Sequence, residues 1–180
     1  TALVTGASRG IGRAIAIGFA EYGADLVLAA RKREGRDHVA SEIEALGRRA
    51  TVMTVNVSQP DSILELTVDV ERRGLAIDVL VNNAATNPVM ADLIDLDLDA
   101  WRKVLDTNVT GIFLLTRGIA RGMVSRRRGS IINIASNGGL VPAPGLGAYC
   151  TSKAAVIHLT RCMAVELGPK GVRANCIAPG

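Results

Sequence analysis

The stretch that decides the fold is Thr5-Gly6-Ala7-Ser8-Arg9-Gly10-Ile11-Gly12. An apolar run, Ala2 to Thr5, leads into it, and a helical pattern of Ile11, Ile15, Gly18, Phe19 and Tyr22 leads out. Glycines between a strand and a helix permit a tight turn, let the backbone approach a diphosphate, and bring helix and strand close together. The first N–H groups of the helix then face the negative charge. A tight turn alone could also require glycine, so the position between strand and helix is what makes this a nucleotide-binding signal.

Working outward, short Val- and Ile-rich runs alternate with helical patterns to the end of the chain. The runs are Asp25 to Ala30, Thr51 to Val57, Asp78 to Asn82, Ser130 to Ala135 and Val172 to Ala178. Most are apolar enough to be covered on both faces, as strands of a parallel sheet are. Between them Val39, Ile43 and Leu46, then Ile63, Leu66 and Val70, recur at helical spacing. Ser58 with Asp61 has the spacing of a capping box ahead of the third helix. No linker or repeat interrupts the alternation, so residues 1–180 read as one α/β domain, a Rossmann-type doubly wound parallel sheet flanked by helices on both faces. The chain opens just before the glycine loop and stops at Pro179-Gly180 directly after a strand, so both ends read as cut.

Of the residues, 48% are apolar and 21% charged, with 21 basic against 17 acidic, which excludes a disordered chain. No apolar run approaches the ~20 residues that span a bilayer, and no charged segment precedes an apolar one as in a signal peptide. A cytoplasmic protein without membrane contact is the expectation. Cys150, Cys162 and Cys176 are odd in number and lack CxxC spacing, so they read as buried reduced thiols, with neither a disulfide framework nor a metal site. Arg126 to Arg128 has no interleaved aromatic residue and reads as a solvated loop, not a nucleic-acid contact.

At the end of the second strand, where NAD binders place a carboxylate for the ribose hydroxyls, the sequence has Ala29-Ala30-Arg31-Lys32. Arg31, with Arg9 from the glycine loop, can clamp a 2′-phosphate by charge-assisted hydrogen bonds. NADP(H) is therefore preferred, with NAD(H) possible. Tyr149 and Lys153 are four apart at the start of the last helical pattern and share a face. Bringing a phenol near pH 7 takes about 4 kcal/mol of preferential stabilisation of the phenolate, and a neighbouring ammonium can supply much of that. Ser136 follows the fifth strand and can stand at the carboxyl edge of the sheet, where open α/β folds bind ligands. Asn108 falls on the apolar stripe of Trp101, Leu105, Ile112, Leu115 and Ile119, where a buried amide must be satisfied. Taken singly, these residues have plainer readings: Tyr149 with Lys153 as a surface pair, Asn108 as a cap on a kink or on a neighbouring backbone group.

Together with Asn82-Asn83-Ala84, these features stand in an order and spacing that resembles the classical short-chain dehydrogenase/reductase family, over the whole chain. The resemblance implies Tyr149 as general acid/base and Ser136 as the group orienting the substrate oxygen. It implies that Lys153 binds the nicotinamide ribose and lowers the Tyr149 pKa, and that Asn108 holds a water in the proton relay. Gly6, Ser8, Arg9, Gly10, Ile11 and Gly12 would carry the cofactor, with Arg31, Asn83, Tyr149, Lys153, Pro179 and Gly180. Asn56 and Val57 would hold the adenine, Asn56 standing where the family more often has Asp. Ala85 replaces the glycine that usually closes Asn-Asn-Ala-Gly. Family members also continue beyond Pro179-Gly180 into a substrate-binding loop, helices and a last strand.

The implied reaction is reversible hydride transfer between NADP(H) and a secondary alcohol or its ketone, a small-molecule substrate. A catalytically silent NADP-binding sensor or scaffold on the same fold is the alternative. Asn137 to Leu146, with Pro88 and Val89, would line much of the remaining pocket, and this small, apolar lining favours an uncharged carbonyl compound. Family members often form tetramers through the helices that carry Asn108 and Tyr149. Val109, Phe113 and Leu114 lie beyond the main stripe of the first of these, so a homo-oligomer, tetramer or dimer, is expected.

Overall fold

The six apolar runs form six strands; in the first five the alternate side chains enter different cores, while the last buries Val172 and Ala174 and leaves Arg173, Asn175 and Ile177 exposed. A computed structural model describes residues 1–32 and 34–180, Glu34 by its backbone alone. The strands are β1 (Ala2–Thr5), β2 (Leu26–Ala30), β3 (Ala50–Thr54), β4 (Val79–Asn82), β5 (Gly129–Ile134) and β6 (Val172–Ile177). All pair in parallel, in the order β3-β2-β1-β4-β5-β6. Ala2 and Val4 join Leu26 and Leu28 under helices α1 (Gly10–Glu21) and α2 (Glu34–Ala45). Leu3 joins Val27, Leu80 and Ile131 under α3 (Pro60–Arg72), α5 (Gly111–Ser125) and α6 (Gly147–Leu167). Burial on both faces is why β1, β2 and β4 are almost wholly apolar, whereas the edge strand β6, covered on one face, admits Arg173 and Asn175. The strand order reverses at β1, between β2 and β4, which opens a crevice at their carboxyl ends.

The face of α1 that meets the sheet differs from the expected stripe. It consists of Gly12, Ala16 and Ala20, while Ile11 is 51% exposed and Tyr22 93% exposed. The helix lies so close to the glycine loop that a Cβ on Gly12 would stand 2.3 Å from the Gly6 carbonyl oxygen, so only small residues fit there. In α2 Val39 and Ile43 are buried as expected, but Leu46 follows the helix and is exposed. In α3 Ile63, Leu66 and Val70 are buried, yet its start is not the expected box. Gln59 is the N-cap and Pro60 opens the helix, a position where its missing N–H costs nothing. Ser58 instead donates its hydroxyl to Asn56 Oδ1 at 2.9 Å.

The stripe through Asn108 is carried by two helices joined by a π-helical turn: α4 (Leu98–Leu105), the turn Asp106–Thr110, and α5. The buried series runs Ala100, Val104, Asn108, Ile112, in steps of four that outrun the 3.6-residue period. The wider turn absorbs the excess and keeps all four on the sheet side. Trp101 and Leu105, expected on the stripe, are therefore only half-buried. Val109 and Leu114 pack against the core, which leaves Phe113 as the exposed member of its trio, with Arg117 over its ring at 5.7 Å.

Beneath the carboxyl edge a buried amide chain crosses the sheet. Asn82 Nδ2 donates to Thr116 Oγ1 on α5 and to Asn133 Oδ1 on β5, and Asn133 Nδ2 donates to Thr160 Oγ1 on α6. The three cysteines are free thiols, but only Cys150 is buried; Cys176 is half-buried and Cys162 exposed, against expectation. Arg126 to Arg128 form an exposed turn that closes α5 onto β5, Arg126 donating to the Ile77 carbonyl and Arg128 facing Asp78 at 3.4 Å. Among the described residues no helix is long and apolar enough to cross a membrane, and no cluster of metal-ligating side chains occurs.

Candidate active site

The glycine loop is held to the end of β4 by one hydroxyl. Thr5 Oγ1 donates to the Val81 carbonyl and accepts from the N–H groups of Asn83 and Ala84, each at 3.0 Å. Asn83 Nδ2 donates back to the Thr5 carbonyl at 2.9 Å, so this amide is turned into the loop and keeps its Oδ1 for any other partner. Gly6 (φ 64°) and Gly10 (φ 55°) adopt backbone that L side chains rarely take, and nothing lies within 4 Å of where a Gly10 Cβ would stand. The N-cap Arg9 contributes no side-chain cap, so the first N–H groups of α1 are left to a ligand. This open glycine cradle under a helix N-terminus fits the diphosphate of a dinucleotide.

Around the cradle, Gly35 at the start of α2 abuts Ser8: a Cβ there would lie 3.0 Å from that of Ser8. Arg9 and Arg31 are exposed, and neither side chain makes a hydrogen bond or ion pair among the described residues. The buried Arg36, which no motif or spacing singles out, donates to Met53 O and Thr54 Oγ1 and ties α2 to β3. Asn56 follows β3, its Oδ1 accepting from Ser58 N and Oγ, so its Nδ2 is what remains to meet a base. Val57 packs beside it, its carbonyl against Gly111. Ile11, at the first turn of α1, is the apolar residue exposed beside the loop.

Ser136, beyond β5, opens a short 3-10 turn (Asn137–Gly139), its Oγ accepting from Gly138 N at 3.1 Å and donating to Asn137 Oδ1 at 3.2 Å. A Cβ on Gly138 would stand 3.5 Å from Ser136 Oγ and 3.8 Å from Tyr149 Cε1, so hydroxyl and ring both border this residue. Lys153 Nζ lies 5.5 Å from the Tyr149 ring centroid and donates to the Ile134 carbonyl at 2.8 Å. With the residue only 2% exposed, burial pushes this ammonium down to about 8, against a smaller opposing effect of the Cys176 thiol. Pro179 and Gly180 reach the same place, Pro179 accepting from Asn137 N at 2.8 Å.

Asn108 is completely buried in the π-helical turn. Its Oδ1 accepts from Thr86 N at 2.8 Å, and its Nδ2 donates to Thr86 O at 3.0 Å and to Ser152 Oγ at 2.9 Å. The plainer reading of this amide, as a partner for neighbouring backbone at an irregular helix, thus describes its protein bonds, and Oδ1 keeps one lone pair.

The loops flanking Tyr149 are joined, Ala91 N donating to Gly145 O at 3.1 Å while Leu93 fills the space beside Gly147. Leu140, Val141 and Val89 are exposed there. A cavity of about 470 Å³ lies elsewhere, between α3 and α5 near the amino end of β4, and none of these groups lines it.

Comparison with known proteins places this geometry. A family model described as short chain dehydrogenase matches residues 1–180. Dehydrogenase/reductase SDR family member 4 of Mus musculus is 37% identical over 179 residues, 99% of this chain and 64% of the relative, so the chain spans less than two thirds of that protein. A solved metagenomic short-chain oxidoreductase in complex with NADP is 37% identical, with a TM-score of 0.95 over 99% of this chain and 81% of that one. An NAD+-bound xylitol dehydrogenase is 35% identical, with a TM-score of 0.95 over 99% and 69%. Sheet order, glycine loop and end-to-end match agree: the chain belongs to the short-chain dehydrogenase/reductase family.

Proposed function

We propose that the chain is the core of an NADP(H)-dependent oxidoreductase that interconverts a secondary alcohol and a ketone, with Ser136, Tyr149, Lys153 and Asn108 as its catalytic set. The observation that carries this reading is the approach of Ser136, Tyr149 and Lys153 to one another at the carboxyl edge, beside a cradle that fits a dinucleotide. When bound, the nicotinamide supplies or takes up the hydride. In reduction the Tyr149 hydroxyl gives its proton to the carbonyl oxygen and is left as phenolate; in oxidation it takes the proton back. Ser136 donates to the same oxygen: Gly138 N–H occupies one of its lone pairs, and its hydroxyl proton, now donated to Asn137 Oδ1, is free to turn. The Lys153 ammonium stabilises the phenolate, and the remaining Oδ1 lone pair of Asn108 serves a water in the path by which the proton is replaced.

Relatives with NADP and with NAD+ exist, so cofactor choice rests on this chain's own residues. No carboxylate ends β2, and the unbonded guanidinium groups of Arg9 and Arg31 favour a 2′-phosphate. The walls at residues 79–91 and 129–152 contain no charged side chain, which favours an uncharged carbonyl substrate. Free thiols suit the cytoplasm, and Phe113, 45% exposed, favours self-association.

The test is a product-identified screen of ketones, diketones and oxo-esters with NADPH and NADH, on the full-length protein. NADPH-dependent reduction is expected, and Tyr149→Phe should lower turnover about 10³-fold while still binding NADPH. A Tyr149→Phe protein that turned over at the parent rate would remove the assignment.

A further inference from the structure

The first turn of α6 carries Tyr149, yet its N-cap, Leu146, has no side-chain cap. What links that turn to the elements around it is Ser152, on the same helix and completely buried. Its Oγ donates to the Tyr149 carbonyl at 2.7 Å and accepts from Asn108 Nδ2 at 2.9 Å. A helical serine commonly bonds back to a carbonyl one turn earlier. Here the lone pair is also used, by an amide that is itself fixed to both backbone groups of Thr86. One hydroxyl therefore joins the loop after β4, the π-helical turn and the main chain of the tyrosine.

We propose that Ser152 is a positioning residue that transmits the hold of Asn108 to the Tyr149 backbone and so fixes how the phenol stands against Lys153. This rests on the reading of Tyr149 and Lys153 as the proton-handling pair, but its test needs no substrate. Without the Ser152 hydroxyl, Asn108 Nδ2 keeps a buried hydrogen with no acceptor, and the Tyr149 carbonyl loses a donor. The turn is then free to shift relative to the ammonium, whose field weakens with distance. The titratable groups at hand are Lys153 and Cys150 on the same helix and Cys176 from β6, which acts on Lys153. Among the described residues no hydrogen bond or ion pair joins a carboxylate to any of them.

The chain has two tyrosines, and the other, Tyr22, is exposed. In the full-length protein with Tyr22 and every tyrosine outside residues 1–180 replaced by phenylalanine, the rise in absorbance at 295 nm reads the Tyr149 phenolate directly. Ser152→Ala is expected to move its midpoint upward by about half a pH unit, with the fold intact by circular dichroism and NADPH affinity unchanged. Ser152→Thr retains both bonds and should restore the parent midpoint. Ser152→Cys, close to serine in volume but a poor donor and acceptor, should move it as alanine does, which keeps the test alive if one variant fails to fold. An unmoved midpoint in whichever of the alanine and cysteine variants folds overturns the proposal. So does a threonine variant displaced as far as alanine, because packing would then be the cause. Loss of the proposed oxidoreductase activity with these midpoints as expected would overturn the functional reading alone.

Discussion

At Lys153 a charged group is held where water scarcely reaches, with one carbonyl, that of Ile134, as its hydrogen-bond partner. The folded state disfavours the charge, so the group titrates at about 8 in place of 10.5. Below pH 8 both folded and unfolded chains are protonated, and the folded state carries the full penalty. Between pH 8 and 10.5 the unfolded chain binds a proton that the folded one does not, so stability rises with pH across that window. In the cofactor-free protein, wild type is therefore expected to gain on the order of 3 kcal/mol relative to Lys153→Met as pH rises through it. Urea unfolding of both proteins at stepped pH measures this, and a constant gap would show that burial does not set the titration. Such a cost at a site is the usual mark of a residue kept for function. The pairing of Tyr149 with Lys153 was legible in the sequence because helical spacing is local. The bonds from Asn108 to Thr86 and Ser152 span 22 and 44 residues, and no spacing rule reports them. The same holds for Arg36, whose partners on β3 are known only once α2 packs beside it.

Among the elements, those with a two-sided apolar strand or a wide apolar helix face were readable, as in β1 to β5 and in α3, and β6 was readable from its one apolar face. Those shaped by backbone proximity were not: α1 turns its small residues inward because of a close approach that is a property of the fold, and the π-helical turn leaves no composition signal. The same proximity governs Gly139. A Cβ there would stand 2.7 Å from the Lys153 carbonyl carbon, 2.8 Å from its oxygen and 2.9 Å from Ala154 N. These are backbone atoms of α6 at the site itself, so relief requires the helix to move. Displacements near 1 Å cost roughly 10²-fold in rate. Gly139→Ala is expected to lower kcat by about that factor on the substrate identified by the screen, with NADPH binding retained because the cradle lies on other elements. Steady-state kinetics beside a cofactor titration checks both halves. Full kcat in this variant would mean that the 3-10 turn yields in place of the helix.

Over the whole molecule, charge is divided along the crevice. Arg9, Arg31 and Lys32 are exposed at the cradle end, while residues 83–101, which follow β4, contain four acidic and no basic side chains. Solved relatives hold NADP or NAD+; the proposed preference for NADP(H) rests on this distribution. The exposed guanidinium groups act through water, so salt screens them, with a screening length of about 10 Å at 0.1 M that falls to about 3 Å at 1 M. The buried and backbone contacts shared by both cofactors are much less affected. Raising sodium chloride from about 50 mM to about 500 mM is therefore expected to weaken NADPH several-fold more than NADH in fluorescence titrations. The Arg9→Ala, Arg31→Ala double variant should lose both the preference and its salt dependence, because the two effects have one source. Equal weakening of the two cofactors by salt, or by the double substitution, would place the discrimination elsewhere than on this basic edge.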